Sequence, residues 1–349
     1  MLNGKMAFFN DGVIMSKPNQ SFWQRKTTAL LGALAIGLGS SLASLPAHAA
    51  APMVKTAAPG FFRMMLGSFE ITALSDGTLD LPVDQILLDT TPEQVKAALA
   101  AAYLSNPVET SVSGYLINTG SKLILIDTGT AGAFGPTGGK LLANLKASGY
   151  TPEQVDEIYI THFHMDHIGG LIAAGQRAFP NALVRADQGE GDYWLSSANL
   201  DQAKDEAKGS FKSAMVTLEP YQSAGKFKPF AGNAELVPGV RALATHGHTP
   251  GHAAYLVENG GQTLLVVGDM IHVGAMQFPD PKVTVNFDKD SPLARKVRLA
   301  TFADAAKQGW WVAAAHISFP GIGHLRARGA GYDWVPVNHT ELNGLSSAK

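Results

Sequence analysis

Twice in this 349-residue chain the same order recurs: a hairpin of apolar strands ends in an acid, a helix follows, and another strand runs straight into a histidine. In the first half the strands span 114–118 and 122–126, and the acid is Asp127. A helix near 140–147 and a strand at 157–161 lead into His162. In the second half the strands span 253–258 and 263–267, and the acid is Asp269. A helix at 291–307 and a strand at 310–315 lead into His316. Strands and helices that alternate in this way are the pattern of α/β proteins. The order therefore predicts an α/β protein built from two pseudo-repeated halves, with its strand ends converging on one site.

Turn and capping signals fill in the remainder. Residues 69–74 read as a short strand closed by Ser75-Asp76-Gly77. Thr91-Pro92-Glu93-Gln94 carries the Thr and Gln of a capping box with Pro in the first turn, and predicts a helix to about residue 103. Thr151-Pro152-Glu153-Gln154 repeats that helix-start signal. No linker or low-complexity stretch divides residues 50–349, which are expected to form one domain.

The N-terminus reads as an address. Arg25 and Lys26 precede an apolar stretch, 29–45, which ends in Pro46-Ala47-His48-Ala49-Ala50. A basic start, an apolar middle and small residues before an A-x-A site predict a secretory signal peptide over residues 1–49, cleaved after Ala49. The protein would then be secreted or periplasmic and free of the membrane. An uncleaved anchor is the alternative, and Met15 is an alternative start that gives a leader of more usual length.

Composition narrows the chemistry. Lys and Arg total 27 against 29 Asp and Glu, and removing residues 1–49 leaves 23 against 28. That acidic balance argues against a nucleic-acid partner. The absence of cysteine excludes disulfides, thiolate nucleophiles and Cys-ligated metal. Any metal must rest on carboxylates and the 11 histidines. No G-x-S-x-G is present to support a serine hydrolase.

The strand ending at Thr161 continues as His162-Phe163-His164-Met165-Asp166-His167. Residues i and i+2 at a strand end project to the same side, so His162 and His164 can face one point. After a turn, Asp166 and His167 can face a second. Imidazoles with carboxylates suit borderline divalent metals. Farther on, His246, His248 and His252 fall within seven residues, and spacing alone does not say which of them binds.

H-x-H-x-D-H after a strand resembles the signature of the metallo-β-lactamase superfamily. The resemblance implies a four-layer αβ/βα sandwich with a binuclear metal site at one edge. Gly247-His248-Thr249-Pro250-Gly251-His252, Gly268-Asp269 and Ala315-His316 match its downstream motifs. By that resemblance His162, His164 and His248 hold one ion, Asp166, His167 and His316 hold the other, and Asp269 bridges them. The ions would be zinc, with manganese or cobalt as alternatives. Asp127 and His252 would support the ligands, and His246 would be structural or line the pocket.

Residues 62–64, 69–77 and 314–324 further resemble methyl parathion hydrolases, and the likeness runs to residue 337. These are secreted dimeric hydrolases with a binuclear zinc-type site, acting on organophosphate triesters, with lactones and aryl esters taken by close relatives. The resemblance implies a homodimer, an activated hydroxide as nucleophile, and Phe134 and Trp194 on the substrate-pocket wall. His272 departs from the pattern, which has leucine there. It follows Asp269 by three residues and is expected to face the pocket and take part in catalysis. An imidazole at that position shifts the expected substrate toward a lactone or aryl ester. A dedicated phosphotriesterase, a β-lactamase, a thioester hydrolase and a non-catalytic metal-binding protein are the alternatives.

Overall fold

Leu123 and Leu125 point to one side of their strand, and Ile124 and Ile126 to the other, yet all four are buried. Such a strand needs a partner layer on each face, and the computed structural model supplies both. It describes residues 51–339 and 342, so the expected signal peptide and its cleavage site lie outside the described residues. The chain divides into two units between residues 55 and 56. Residues 51–55 have no regular secondary structure, and every strand and helix described below belongs to the second unit.

The first sheet comprises β1 (Phe61–Leu66), β2 (Phe69–Leu81), β3 (Val108–Asn118), β4 (Leu123–Ile126), β5 (Glu157–Tyr159) and β6 (Leu183–Arg185), in that spatial order. The second comprises β7 (Ala234–Val237), β8 (Val240–Ala244), β9 (Ala253–Asn259), β10 (Gln262–Val266), β11 (Trp311–Ala313), β12 (Ile322–Arg328) and β13 (Gly331–Pro336), again in order. In both, an antiparallel hairpin, β3–β4 or β9–β10, is followed by a helical crossover to a parallel strand, β5 or β11. The crossover helices are α1 (Leu141–Ala147) and α2 (Ser291–Gln308). The two pseudo-repeated halves are thus real in the topology.

The sheets pack face to face. Ile71, Tyr115, Ile124 and Ile126 from the first share a core with Tyr255, Val257, Leu264 and Val266 from the second. The outer face of the first sheet carries Leu116, Leu123 and Leu125, covered by Leu141 and Leu145 of α1 and by Phe211, Leu218 and Tyr221 of the helix Asp205–Ser223. The outer face of the second carries Leu256, Leu265 and Val312 under Phe302 and Ala305 of α2. Helix, sheet, sheet and helix make the four-layer sandwich. Each buried Leu, Ile or Phe stabilises it by about 1.5–3 kcal/mol before chain entropy is set against it. Among the described residues, no helix is long and apolar enough to cross a membrane.

Two local expectations are corrected. Ser75-Asp76-Gly77 does not end a strand: β2 runs on to Leu81, absorbing an extra residue as a bulge opposite β3. The Asp76 carboxylate turns inward and accepts from the Thr130, Gly139 and Leu141 backbone amides and the Thr130 hydroxyl. Thr151 does form its capping box, but only over the single 3-10 turn Pro152–Gln154, because the chain must extend at once to enter β5. The Thr91 box opens a full helix, Pro92–Ala101.

Candidate metal centre

The site lies where β5, β10 and β11 end. Beyond β5 the chain bends at Thr161 and runs without regular structure to His164, which precedes the one-turn helix Met165–Ile168. His162 Nε2 stands 2.9 Å from His164 Nδ1, on one side of the chain as the i, i+2 spacing requires. The short helix swings Asp166 and His167 to a second point. Beyond β10, Gly268 adopts φ 52°, and a side chain there would strike His252 and Thr161. The tight turn delivers Asp269 between the two points.

Ligand-type atoms of His162, His164, His248 and Asp269 lie within 4.8 Å of one another, as do those of Asp166, His167, Asp269 and His316. Asp269 divides its oxygens between the clusters. Oδ2 is 3.5 Å from His162 Nε2 and 3.4 Å from His248 Nε2. Oδ1 is 3.0 Å from His167 Nε2 and 3.1 Å from His316 Nε2, while Asp166 Oδ2 is 3.3 Å from His316 Nε2. All seven residues expected to meet do so.

The outer ring nitrogens are held from behind. His167 Nδ1 is 2.8 Å from Asp127 Oδ2, and that carboxylate also accepts from the Thr161 amide and hydroxyl. His248 Nδ1 is 2.8 Å from Asp288 Oδ1, and His316 Nδ1 is 3.0 Å from the Ser111 carbonyl oxygen. These contacts leave Nε2 of each ring facing inward. Of the three neighbouring histidines, only His248 enters a cluster. His252 Nε2 accepts from the Asp269 amide at 3.1 Å, so it holds that residue's backbone. His246 is 38% exposed on its side chain and 3.6 Å from Asp187, outside both clusters.

Burial, reinforced by neighbouring imidazoles, drives His162 and His164 well below the usual histidine range, so both are neutral. Burial alone would raise Asp269, but the histidines around it outweigh that and hold it far below the usual carboxylate range. Burial opposes charge on His248 and His316 too, yet Asp269 and the other carboxylates raise them to about 9 and about 10. The buried carboxylates thus demand positive charge, met by protons on histidine or by a cation. His167 Nε2 and Asp269 Oδ1 are buried without hydrogen-bond partners. Leaving such atoms unpaired costs about 1–3 kcal/mol each, which a shared cation relieves. Nitrogen and oxygen donors in this proportion fit divalent ions of the zinc type.

Above the clusters opens a cavity of about 660 Å³, floored by His164, Asp166, Asp269, His272 and His316. Leu79, Leu81, Phe134, Pro136, Met165 and Phe287 supply apolar walls. Asp76 grips both ends of the loop that carries Phe134, which is 55% exposed at the rim. His272 does face this cavity: Nε2 is 3.0 Å from Asp269 Oδ2, and its ring stacks on His316. Trp194 does not. It is 1% exposed, packs on Phe211 and meets the His164 ring in a T-shaped contact at 5.6 Å, because the helix Gln188–Trp194 turns it into the core. Sequence reasoning missed Asp288, which sits in a turn 40 positions after its histidine. It also missed Glu190 and Phe287, which no motif singles out.

Two histidine-rich clusters sharing one carboxylate, at the strand ends of a four-layer sandwich, define a metallohydrolase. The chain belongs to the metallo-beta-lactamase superfamily, whose profile matches residues 108–314. The N-acyl homoserine lactonase of Bacillus thuringiensis is 28% identical over 240 residues, 63% of this chain and 85% of its own length. The chain spans only 56% and 61% of the lengths of the N-acyl homoserine lactonases it matches from Bacillus cereus and a further Bacillus species. Among solved structures, AbOPH, a hydrolase in the beta lactamase superfamily, superposes with a TM-score of 0.78 at 35% identity, covering 82% of this chain and all of that one. AidC, a dizinc quorum-quenching lactonase in complex with a product, gives 0.74 at 26% identity, over 81% of this chain and 99% of its own. Clusters and relatives together support two divalent ions here.

Proposed function

We propose that this chain is a binuclear zinc-type hydrolase that opens lactones or cleaves aryl esters, with dialkyl aryl phosphotriesters as poorer substrates. The observation that carries this reading is the division of the Asp269 oxygens between two clusters on the floor of an apolar cavity. His162, His164 and His248 would hold one ion, Asp166, His167 and His316 the other, and Asp269 both. When bound, such a pair supplies a nucleophile from water near neutral pH and polarises the substrate oxygen.

The chain's own residues do the rest. Asp127, Asp288 and the Ser111 carbonyl fix the rings of His167, His248 and His316, so the geometry is set before substrate arrives. Phe134 and Phe287 offer flat apolar surface to an aryl group or acyl chain. His272 stands on the cavity floor, where its Nε2 meets the shared Asp269 carboxylate and its ring narrows the space left to a substrate. The N-acyl homoserine lactonases among the relatives favour a lactone. Export behind a signal peptide and assembly as a homodimer belong to the same reading.

The test is a panel of an aryl lactone, a p-nitrophenyl ester, a dialkyl aryl phosphotriester and a cephalosporin, assayed before and after EDTA and after restoring Zn²⁺ or Mn²⁺. The lactone or ester should turn over fastest, and only with metal. Faster turnover of the phosphotriester or cephalosporin, or activity that survives chelation, would overturn the reading.

A further inference from the structure

Glu190 is a carboxylate with no access to solvent, and it touches neither cluster. It lies in the first turn of the helix Gln188–Trp194, whose capping residue Asp187 accepts from the Gly189 and Gly232 amides. Its two oxygens face different segments. Oε2 accepts from the Phe163 amide at 2.8 Å, and Oε1 accepts from the Gly251 amide at 2.8 Å. Phe163 is the residue between His162 and His164, and Gly251 lies three positions after His248 in the same turn. The contact is close on that side as well: a Cβ at Gly251 would collide with the Glu190 amide nitrogen.

One buried side chain therefore ties the segment carrying His162 and His164 to the turn carrying His248. Those three histidines are the nitrogen donors of a single cluster. The other cluster is held by different bonds: Asp127 on His167, Ser111 on His316, and the Thr128 amide on the His167 carbonyl. Hydrogen bonds from backbone amides to a carboxyl group hold both segments here where no water competes. A ligand site is tight when its donors stand in place before the ion arrives, so fixing the distance between two ligand-bearing segments should act on affinity.

We propose that Glu190 is a positioning residue that sets the spacing between the His162–His164 pair and His248, and so tunes affinity for one ion of the pair and not the other. The inference rests on the binuclear reading of the two clusters.

Stepwise Zn²⁺ binding by the whole protein, measured by competition with a chromophoric chelator, tests it. Wild type should show two sites, which checks the binuclear reading by itself. Glu190→Gln keeps the size but turns an amide N–H toward one of the two backbone N–H groups. Glu190→Asp is too short to span both. Either should weaken one site by roughly 10–100-fold, the usual range for groups that support ligands, and leave the other within about twofold. Saturating Zn²⁺ should restore most of kcat. Unchanged affinities, equal weakening of both sites, or loss of folded protein in both variants would each overturn the proposal. A wild type with fewer than two sites would fault the binuclear reading instead.

Discussion

His248 and Asp288 are joined by a 2.8 Å contact between Nδ1 and Oδ1, and the backbone repeats the clasp at the next two residues. The Lys289 amide donates to the His248 carbonyl, and the Asp290 amide donates to the Gly247 carbonyl. The turn bearing His248 is thus held by three consecutive residues. The carboxylate fixes which ring nitrogen carries the proton and leaves Nε2 free to bind. Asp288→Ala should release the ring and weaken Zn²⁺ retention by roughly 10–100-fold, whereas Asp288→Asn, which keeps an acceptor oxygen, should fall between. Zinc content after dialysis against graded chelator checks both, and equal retention in all three proteins would refute the role.

Asp269 should be far less forgiving. Its two oxygens serve both clusters, so Asp269→Ala removes a donor from each at once. The loss of activity is expected to exceed the roughly 10–100-fold typical of a supporting residue, with fewer than two ions retained per chain. Metal analysis alongside kcat decides it. Full activity with one ion per chain would sink the binuclear mechanism.

The main ligands were legible because their signal is local. His162 to His167 are contiguous, and His316 lies three positions beyond β11, whose apolar run is plain in the sequence. The pseudo-repeat was legible for the same reason: alternation within strands and turns between them are short-range properties. Asp288 and Glu190 were not, since each is defined by a partner 40 or 27 residues away and by burial that no window reveals. The run Ser75-Asp76-Gly77 carries turn chemistry, but tertiary contacts to Thr130 and Gly139 convert it to a bulge. Trp194 shows the remaining limit. An aromatic residue near a site can face the cavity or the core, and its identity is the same in both.

That placement makes Trp194 a stability residue. Trp194→Ala should open a hole against Phe211 and cost about 3–5 kcal/mol, as truncation of a buried aromatic does. Thermal or urea unfolding of the metal-loaded protein measures it. Unaltered stability together with a raised KM for aryl substrates would put the ring back on the cavity wall.

Phe134 should behave in the opposite way. It is half exposed at the rim, so Phe134→Ala should leave stability within about 0.5 kcal/mol. Loss of one aromatic contact to a bound aryl group should raise KM roughly 2- to 10-fold. Steady-state kinetics on an aryl ester and on a small aliphatic lactone separate the effects, because only the aryl substrate should respond. An equal response of both substrates would mean that the loop, rather than the ring, had changed.

His272 bears on substrate choice most directly. Its Nε2 shares Asp269 Oδ2 with His162 and His248, and its ring stacks on His316 at 5.3 Å and meets Phe287 at 4.9 Å. It therefore narrows the cavity floor and puts a polar ring where a leucine would put an apolar side chain. One such group can shift discrimination between substrates by about 1–3 kcal/mol, or roughly 10–200-fold. Wild type should favour an aromatic lactone or aryl ester over a dialkyl aryl phosphotriester. His272→Leu should move the ratio of kcat/KM values toward the phosphotriester, by removing the imidazole and leaving room for an alkoxy group. The comparison belongs at equal metal content, because the imidazole also touches the shared carboxylate. If both activities fall in proportion, His272 acts through Asp269 on the metals, and the cavity floor does not choose the substrate.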